Sequence, residues 1–505
     1  MSSVKRNIIS NYIGSGWSSL MGIVFTPLYV HYLGIEAYGL IGVFTMLQTW
    51  LFLLDMGITP TLSREMARFD AGAYDSQKIR NFVRSLEIIY IFIAITVLIG
   101  LLLVSDWITI NWLQIETLNA SVVANALSLS GVFIVLRWFS GLYRGAIMGL
   151  QQQVWLNYTS ALFATVRGLG AVGVLAWISP TVFAFLIFQS VLAAIEAIVL
   201  AVKMHFLLPK SDKPSYFSID SLQHVWKFAA GMSANSLQAL LLTQVDKLLL
   251  SKLLPIAEFG YYNLAITLAG GLYILMGAIT NAAYPQFVLL IERGDSQTLI
   301  KTYHKLSQML SMVVAPTAIV LAFYSENVLL LWMNNESTAK AVAPLVSLLV
   351  VGYLLNGMLQ IPYFLQLAYG WTKLNLTTNF ISILILVPAV YITVPIYGVK
   401  ATPIIWIILN IVYIVVTIPI MHSRLLPNEM WSWYQKDIVL PLLSIFAAIS
   451  ALYYVMPVPS INQPIVNIID ILLAAILGII VAFLVTPLGR NLLKRNIHIK
   501  SLKFR

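Results

Sequence analysis

Residues Leu240 to Leu254 read "LLLTQVDKLLLSKLL". The stretch is almost all leucine, yet Asp246 and Lys247 sit in its middle. With the residues before it, the run starts at about 226 and is long enough to cross a hydrocarbon core of about 30 Å. A segment that spans lipid has to satisfy its own backbone hydrogen bonds, so the stretch is read as a helix. Adjacent helix positions diverge by about 100°, so Asp246 and Lys247 cannot pair with each other. They point at different neighbours.

The rest of the chain repeats the pattern. Of its 505 residues 59% are hydrophobic and only 10% charged, against about 25% charged in soluble domains. Mean hydropathy is +0.86. Fourteen spans are expected, at about 8–30, 37–57, 85–104, 121–144, 155–178, 181–203, 226–254, 257–285, 303–325, 341–367, 374–395, 401–422, 438–456 and 464–487. The expected fold class is an all-α polytopic membrane protein with about 14 transmembrane helices. The absence of cysteine excludes disulfides and thiolate metal sites. The first span is not read as a cleavable signal, since only Lys5 and Arg6 precede it and no A-x-A site follows.

Lysine and arginine in the loops set the orientation. Twenty-four of the 30 fall on the side of the N-terminus, three on the other side (Lys252, Lys340, Lys400) and three inside spans (Arg137, Arg167, Lys247). Both termini are therefore expected in the cytoplasm. The net charge of +10 is a topology signal and calls for no nucleic-acid partner. No loop on the opposite side exceeds roughly 20 residues, which leaves no room there for a catalytic domain. The longest cytoplasmic loop, about 58–84, is basic and expected to lie along the membrane surface.

A weak repeat runs at an offset near 220 residues. "AYGLIG" from Ala37 matches "EFGYYN" from Glu258, Met56-Gly57 matches Met276-Gly277, "DSQ" at Asp75 recurs at Asp295, and "LNYTS" at Leu156 matches "LNLTT" at Leu374. Six spans per repeat give both halves one orientation, related by an axis along the membrane normal. This predicts an N-lobe over 1–210 (spans 1–6), a C-lobe over 211–430 (spans 7–12), and spans 13 and 14 with a basic tail over 431–505.

"YLGIEAYGL" (Tyr32–Leu40), "LLDMGITPTLSREMA" (Leu53–Ala67) and "TQVDKLLLSKLLPIAEFGYYNLA" (Thr243–Ala265) resemble the signature stretches of the polysaccharide-transport branch of the MOP exporter superfamily, the Wzx-type flippases. The resemblance covers the whole 6 + 6 core. It implies a transporter and no enzyme. Such a protein moves undecaprenyl-diphosphate-linked oligosaccharide repeat units from the inner to the outer leaflet of the bacterial inner membrane by alternating access, for O-antigen, capsule or exopolysaccharide synthesis. The implied partners are the lipid-linked oligosaccharide, membrane lipids, a polysaccharide polymerase and a chain-length regulator. No cofactor is implied, and transport would draw on a proton or sodium gradient. Asp246, in "VDK", matches the acid of the family's seventh span.

Ionisable residues at bilayer depth are costly and face a cavity or a partner. Arg137 and Arg144 lie seven apart, on one face of span 4, and Arg167 is mid-span in span 5. A guanidinium keeps its charge and offers a planar fork suited to phosphate. Arg137, Arg167 and Arg144, with Lys247, are the candidates for a cationic cavity that binds substrate. A structural pair of Arg167 with Glu196 is equally compatible with the sequence. Asp246, Glu196, Asp55 and Arg64 are the candidates for coupling or gating. Asp246 would hold a cation or proton, or lock the two halves. Asp55 or Glu65 would pair with Arg64, Arg68 or Arg84 at a cytoplasmic gate. Trp17, Trp50, Trp138 and Tyr158 are candidate sugar-stacking residues, and Asn157, Asn356 and Gln360 candidate sugar ligands, although helix–helix bridging explains each as well.

"GLGAVG" at Gly168–Gly173 spells G-x-G-x-x-G inside a span with no preceding strand, so it is read as a small-residue packing face. There is no P-loop, H-E-x-x-H or Asp-x-Asp, and the six histidines are scattered. Two other transport functions stay open: a lipid II-type flippase and a MATE-like multidrug or cation antiporter. The MATE type predicts a smaller, less basic cavity.

Overall fold

The computed structural model describes residues 3–55, 57–73, 75–211, 213–220, 226–456 and 461–494. Met56 and the tail residues Arg495, Lys500, Lys503 and Arg505 lie outside the described residues. For Lys5, Arg6, Lys227 and Asn235 only the backbone is described.

Among the described residues the chain is all helix, with no strand. Twelve helices among the described residues are long and apolar enough to cross a membrane, and the protein is a multi-pass membrane protein. One of them, Lys373–Leu425, contains two of the expected spans, separated by the 3-10 turn Gly398–Lys400. The expected seventh span is the continuous helix Trp226–Leu253, which is not among the twelve. Side chains such as Phe92, Leu103, Ile110 and Phe206 are largely exposed, as expected where the solvent is lipid and not water.

The chain forms two compact units, Met1–Gly260 and Tyr261–Arg505. In the first, the helices are α1 (Ser3–Leu33), α2 (Ile35–Leu51), α3 (Ile58–Asp70), α4 (Ser76–Asn111), α5 (Ala120–Gly149), α6 (Gln153–Trp177), α7 (Val182–Leu207) and α8 (Trp226–Leu253). α1 packs on α6, α5 on α7, and α3 and α4 on α5. Small residues permit the approach. A Cβ on Gly168 would collide with Phe25 of α1, and one on Gly145 would lie 2.8 Å from Thr59. The "GLGAVG" stretch is thus a packing face. α3 buries Thr61, Leu62, Glu65 and Met66 on one side and leaves Arg64 and Arg68 about half exposed, as expected of a basic surface helix.

The unit extends beyond position 210 because α8 packs on α2 and α3. Its far end is tied to the α4–α5 loop. Trp112 donates to Ser251 (3.0 Å), Gln114 donates to the Lys252 carbonyl (2.9 Å), and Lys252 lies 5.0 Å above the Trp112 ring.

The next helix, α9 (Ile256–Ala269), meets α2 at two glycines that the sequence repeat aligns. A Cβ on Gly39 would come 3.1 Å from the Gly260 nitrogen and collide with the Ile256 carbonyl. One on Gly260 would come 3.2 Å from the Gly39 nitrogen and 2.5 Å from the Ile35 carbonyl. The contact is reciprocal, with each residue doing to its counterpart what the counterpart does to it.

The two "DSQ" tripeptides also do one job. Asp75 caps α4, accepting from the Lys78 amide at 2.7 Å, and Asp295 caps helix Ser296–Phe323, accepting from the Thr298 amide at 3.0 Å. In the second unit Ser296–Phe323 packs against Glu336–Met358 and against the last two spans, Met430–Val455 and Pro464–Val485. A polar staple holds these. His304 bonds Asp437 at 2.5 Å and Glu429 at 3.0 Å, Gln308 donates to Asp437 at 2.8 Å, and Gln308 accepts from the Leu488 amide at 2.8 Å. Asp437 lies in a π-helical segment, Trp433–Val439, and is fully buried.

Candidate functional site

The first unit encloses a cavity of about 820 Å³, walled by α1, α2, α5, α6 and α7 with Thr59 and Val97. Much of the wall is apolar, including Phe44, Phe133, Phe163 and Phe185. Ser18, Thr45 and Gln48 add hydrogen-bonding groups. Into this chamber project Arg137, Arg144 and Arg167, with Glu196 behind them.

The seven-residue spacing on α5 puts Arg137 and Arg144 two turns apart on one face, and α7 packs along that face with Glu196. Arg167 enters from α6, about 21 Å along the helix from Gln153. All three guanidinium groups converge on one carboxylate. Arg137 donates to Glu196 Oε2 at 2.9 Å, Arg167 donates to the same oxygen at 2.7 Å, and Arg144 donates to Oε1. The second nitrogens are also used: Arg167 Nη1 donates to Gln189 at 3.1 Å, and Arg144 Nη1 to Ser160 at 2.7 Å. The Phe133 ring lies 6.0 Å from the Arg167 guanidinium carbon.

The electrostatics follow from the count. Three guanidinium groups meet one carboxylate, which leaves two positive charges without a counter-charge in the cluster. Glu196 is 1% exposed, whereas the arginine side chains are 21–31% exposed toward the chamber. The acid is buried behind the bases, so it fixes their forks and leaves their outer edges open. The pair that the sequence allows, Arg167 with Glu196, therefore exists as part of a larger cluster.

The remaining candidates lie elsewhere. Lys247 is not on this wall; its ammonium donates to Gln244 at 3.0 Å, one turn back on α8. Asp246 is half-buried on the same helix. Of the two acids expected to pair with a nearby arginine, Glu65 does and Asp55 does not. The Asp55 carboxylate takes the Thr59 amide at 3.2 Å, the Thr59 hydroxyl at 2.7 Å and the Tyr90 hydroxyl, and among the described residues pairs with no arginine. A buried carboxylate three residues before a helix start is reached first by that helix's free amides. Arg84 pairs instead with Glu87 at 3.4 Å, and Glu65 with Arg68 at 3.0 Å, within its own helix, with Arg64 at 3.9 Å.

Trp138 is a second correction. It lines the cavity, but one ring face is stacked on Tyr90 at 4.1 Å and it belongs to the apolar core with Leu62, Phe82 and Leu142. Trp17 donates to Thr165 (2.9 Å) and Asn157 to Asn11 (2.5 Å), so both bridge α1 to α6. Asn356 bridges to Asn410 at 3.0 Å and receives Gln360 at 3.3 Å. Among the described residues no group of three or more His, Asp or Glu could hold a metal ion.

The bundle of apolar helices has the fold of several solved membrane transporters. The fold is similar to the lipid II flippase MurJ in an inward closed conformation, with a TM-score of 0.71 at 14% identity over 93% of this chain and 98% of that one. It is also similar to an inward-facing multidrug resistance MATE family transporter of the MOP superfamily, with a TM-score of 0.62 at 15% identity over 81% and 94% of the two chains. By sequence, residues 4–291 match the family described as polysaccharide biosynthesis protein, and the chain belongs to that family. A Shigella flexneri protein named "Putative O-antigen transporter" is 20% identical over 408 residues, covering 80% of this chain and 94% of that protein.

Proposed function

We propose that the protein translocates a polyprenyl-diphosphate-linked oligosaccharide across the bacterial inner membrane, from inner to outer leaflet, by alternating access. The observation that carries this reading is the convergence of Arg137, Arg144 and Arg167 on Glu196 at the cavity wall. The two uncompensated positive charges match the two negative charges of a diphosphate diester. Bidentate guanidinium forks are suited to such oxygens. In this reading Glu196 holds the forks when the site is empty, and the phosphates share them when cargo is present. The chamber's hydroxyls and amides (Ser18, Thr45, Gln48) serve the sugar.

The family and the named O-antigen relative support a glycan cargo. A polysaccharide polymerase and a chain-length regulator would act on the product at the outer face. The cycle would draw on a proton or sodium gradient, with Asp246 holding the ion or locking the two halves. Both termini would face the cytoplasm. The second reading, a lipid II-type flippase, is favoured by the likeness to the MurJ fold and would use the same cationic wall.

The test is a deletion strain. Lipid-linked repeat units should accumulate on the inner face, and the wild-type gene should clear them. If they reach the outer leaflet at the normal rate without the gene, the proposal fails.

A further inference from the structure

A second, smaller cavity of about 480 Å³ lies between α4, α5, the end of α7 and the segment that follows α7. Its wall includes Arg80, Arg84, Glu87 and Ile91 of α4, Tyr143 of α5 and His205 of α7. It does not share a wall residue with the larger chamber. The loop charges assign this end of the bundle to the cytoplasmic interface.

The wall is built. Residues 209–211 and 213–218 run along α4 as a strap. Gln77 donates to the Pro214 carbonyl (3.1 Å), Asn81 accepts from the Tyr216 amide (3.2 Å) and Ser85 accepts from the Ser218 amide (2.8 Å). Four helical residues rise about 6 Å and two extended residues about 6.6 Å, so side chains every fourth position keep register with alternate residues of the strap. Arg80 also donates to the Pro209 carbonyl at 3.1 Å.

The chemistry is graded along α4. Positions 80, 84, 87 and 91 fall on one helix face over about 16 Å. The outer end holds two guanidinium groups and an imidazole. Glu87, nearly buried, takes His205 at 2.9 Å and Arg84 at 3.4 Å, while Arg84 and His205 stay about half exposed. Arg80 Nε is buried without an acceptor among the described residues. The inner end is apolar. Ile91 and the neighbouring Ile88, Phe92 and Ile95 are exposed on the surface that meets lipid.

We infer that this cavity binds the phosphate of a membrane lipid, with Arg80 and Arg84 on the phosphate oxygens and the first part of a chain along Ile91. Basic pockets between transmembrane helices at the cytoplasmic face have the chemistry of anionic headgroup sites. Two guanidinium groups, Arg80 and Arg84, share this wall with one carboxylate, Glu87, which leaves positive charge for an anion. Anionic phospholipid and polyprenyl diphosphate share this chemistry, and two arms of one experiment distinguish them.

The full chain is placed in phosphatidylcholine nanodiscs, and thermal unfolding is followed against added phosphatidylglycerol in one arm and added undecaprenyl diphosphate in the other. Wild type should be stabilised in at least one arm, and the arm names the lipid. The double variant Arg80→Ala/Arg84→Ala should need about tenfold more of that lipid for the same shift. Arg144→Ala, which alters the larger chamber only, should leave the phosphatidylglycerol response unchanged. Native mass spectrometry of wild-type protein released from mixed bilayers gives a readout independent of the variants and should find one phosphate-bearing lipid retained per chain. No shift in either arm, an equal shift in the double variant, or no retained lipid would overturn the inference.

Discussion

Arg167 and Glu196 meet at 2.7 Å in the wall of the larger cavity, and Glu196 receives Arg137 and Arg144 as well. The three bases repel one another, so the one acid sets their geometry. Glu196→Gln removes the counter-charge and should lower stability by about 1–3 kcal/mol, less than a fully buried pair because the guanidinium groups are partly exposed. Adding Arg167→Gln should restore part of the loss by removing one of the mutually repelling charges. Thermal unfolding of the single and double variants checks both. Additive losses would contradict the coupled cluster.

Asp55 ties the start of α3 to Tyr90 of α4. Asp55→Ala should cost about 1–2 kcal/mol through the lost amide and hydroxyl bonds. Tyr90→Phe should cost less, since Thr59 still satisfies the carboxylate. Hydrogen exchange at the Thr59 amide is the readout: it should speed up in Asp55→Ala and change little in Tyr90→Phe.

The Gly39–Gly260 crossing leaves no room for a side chain on either helix. Gly39→Val and Gly260→Val should each destabilise the protein by at least the 1–3 kcal/mol typical of overpacking, because the obstacle is backbone. Gly16→Ala, at a helical glycine with nothing within 4 Å, should be neutral or stabilising by up to about 1 kcal/mol. Folded yield in detergent separates the two cases.

In the second unit, Asp437 joins the Met430–Val455 span to Ser296–Phe323 through His304 and Gln308. Asp437→Ala leaves the buried Gln308 and the part-buried His304 each with an unmet bond and should cost about 2–3 kcal/mol. Limited proteolysis near residues 426–430 should accelerate in that variant and not in Lys436→Ala.

The helical fold was legible because lipid imposes one rule on every span, and length with hydropathy expresses that rule directly. Arg137, Arg144, Arg167 and Glu196 were legible for the same reason: a charge in an apolar run stands out and needs a partner. The partner's identity was less clear. A single Arg167–Glu196 pair fitted the sequence, and the three-fold convergence depends on how α5, α6 and α7 pack. Which of Asp55 and Glu65 takes an arginine was not legible, because both lie among abundant arginines and the free amides of α3 that claim Asp55 carry no sequence mark. The His304–Asp437–Glu429 staple is not legible in the sequence because His304 lies 133 and 125 positions from its two acids. Its Asp also sits near the expected start of a span, where a polar residue attracts no notice. The four strap ligands on α4 were likewise hidden, since Gln77, Asn81 and Ser85 look like ordinary polar residues of a cytoplasmic helix end and Arg80 like a topology charge.

The central claim is that the arginine cluster binds the diphosphate of the cargo. Binding of a polyprenyl-diphosphate-linked oligosaccharide to nanodisc-embedded protein tests it most directly, comparing wild type with Arg167→Gln and Arg137→Gln. Each variant should bind about tenfold or more weakly, as expected for loss of a charge-assisted hydrogen bond, and the same glycan on an uncharged lipid should bind weakly to all three proteins. Equal affinity of wild type and both variants for the diphosphate-linked cargo would contradict the account.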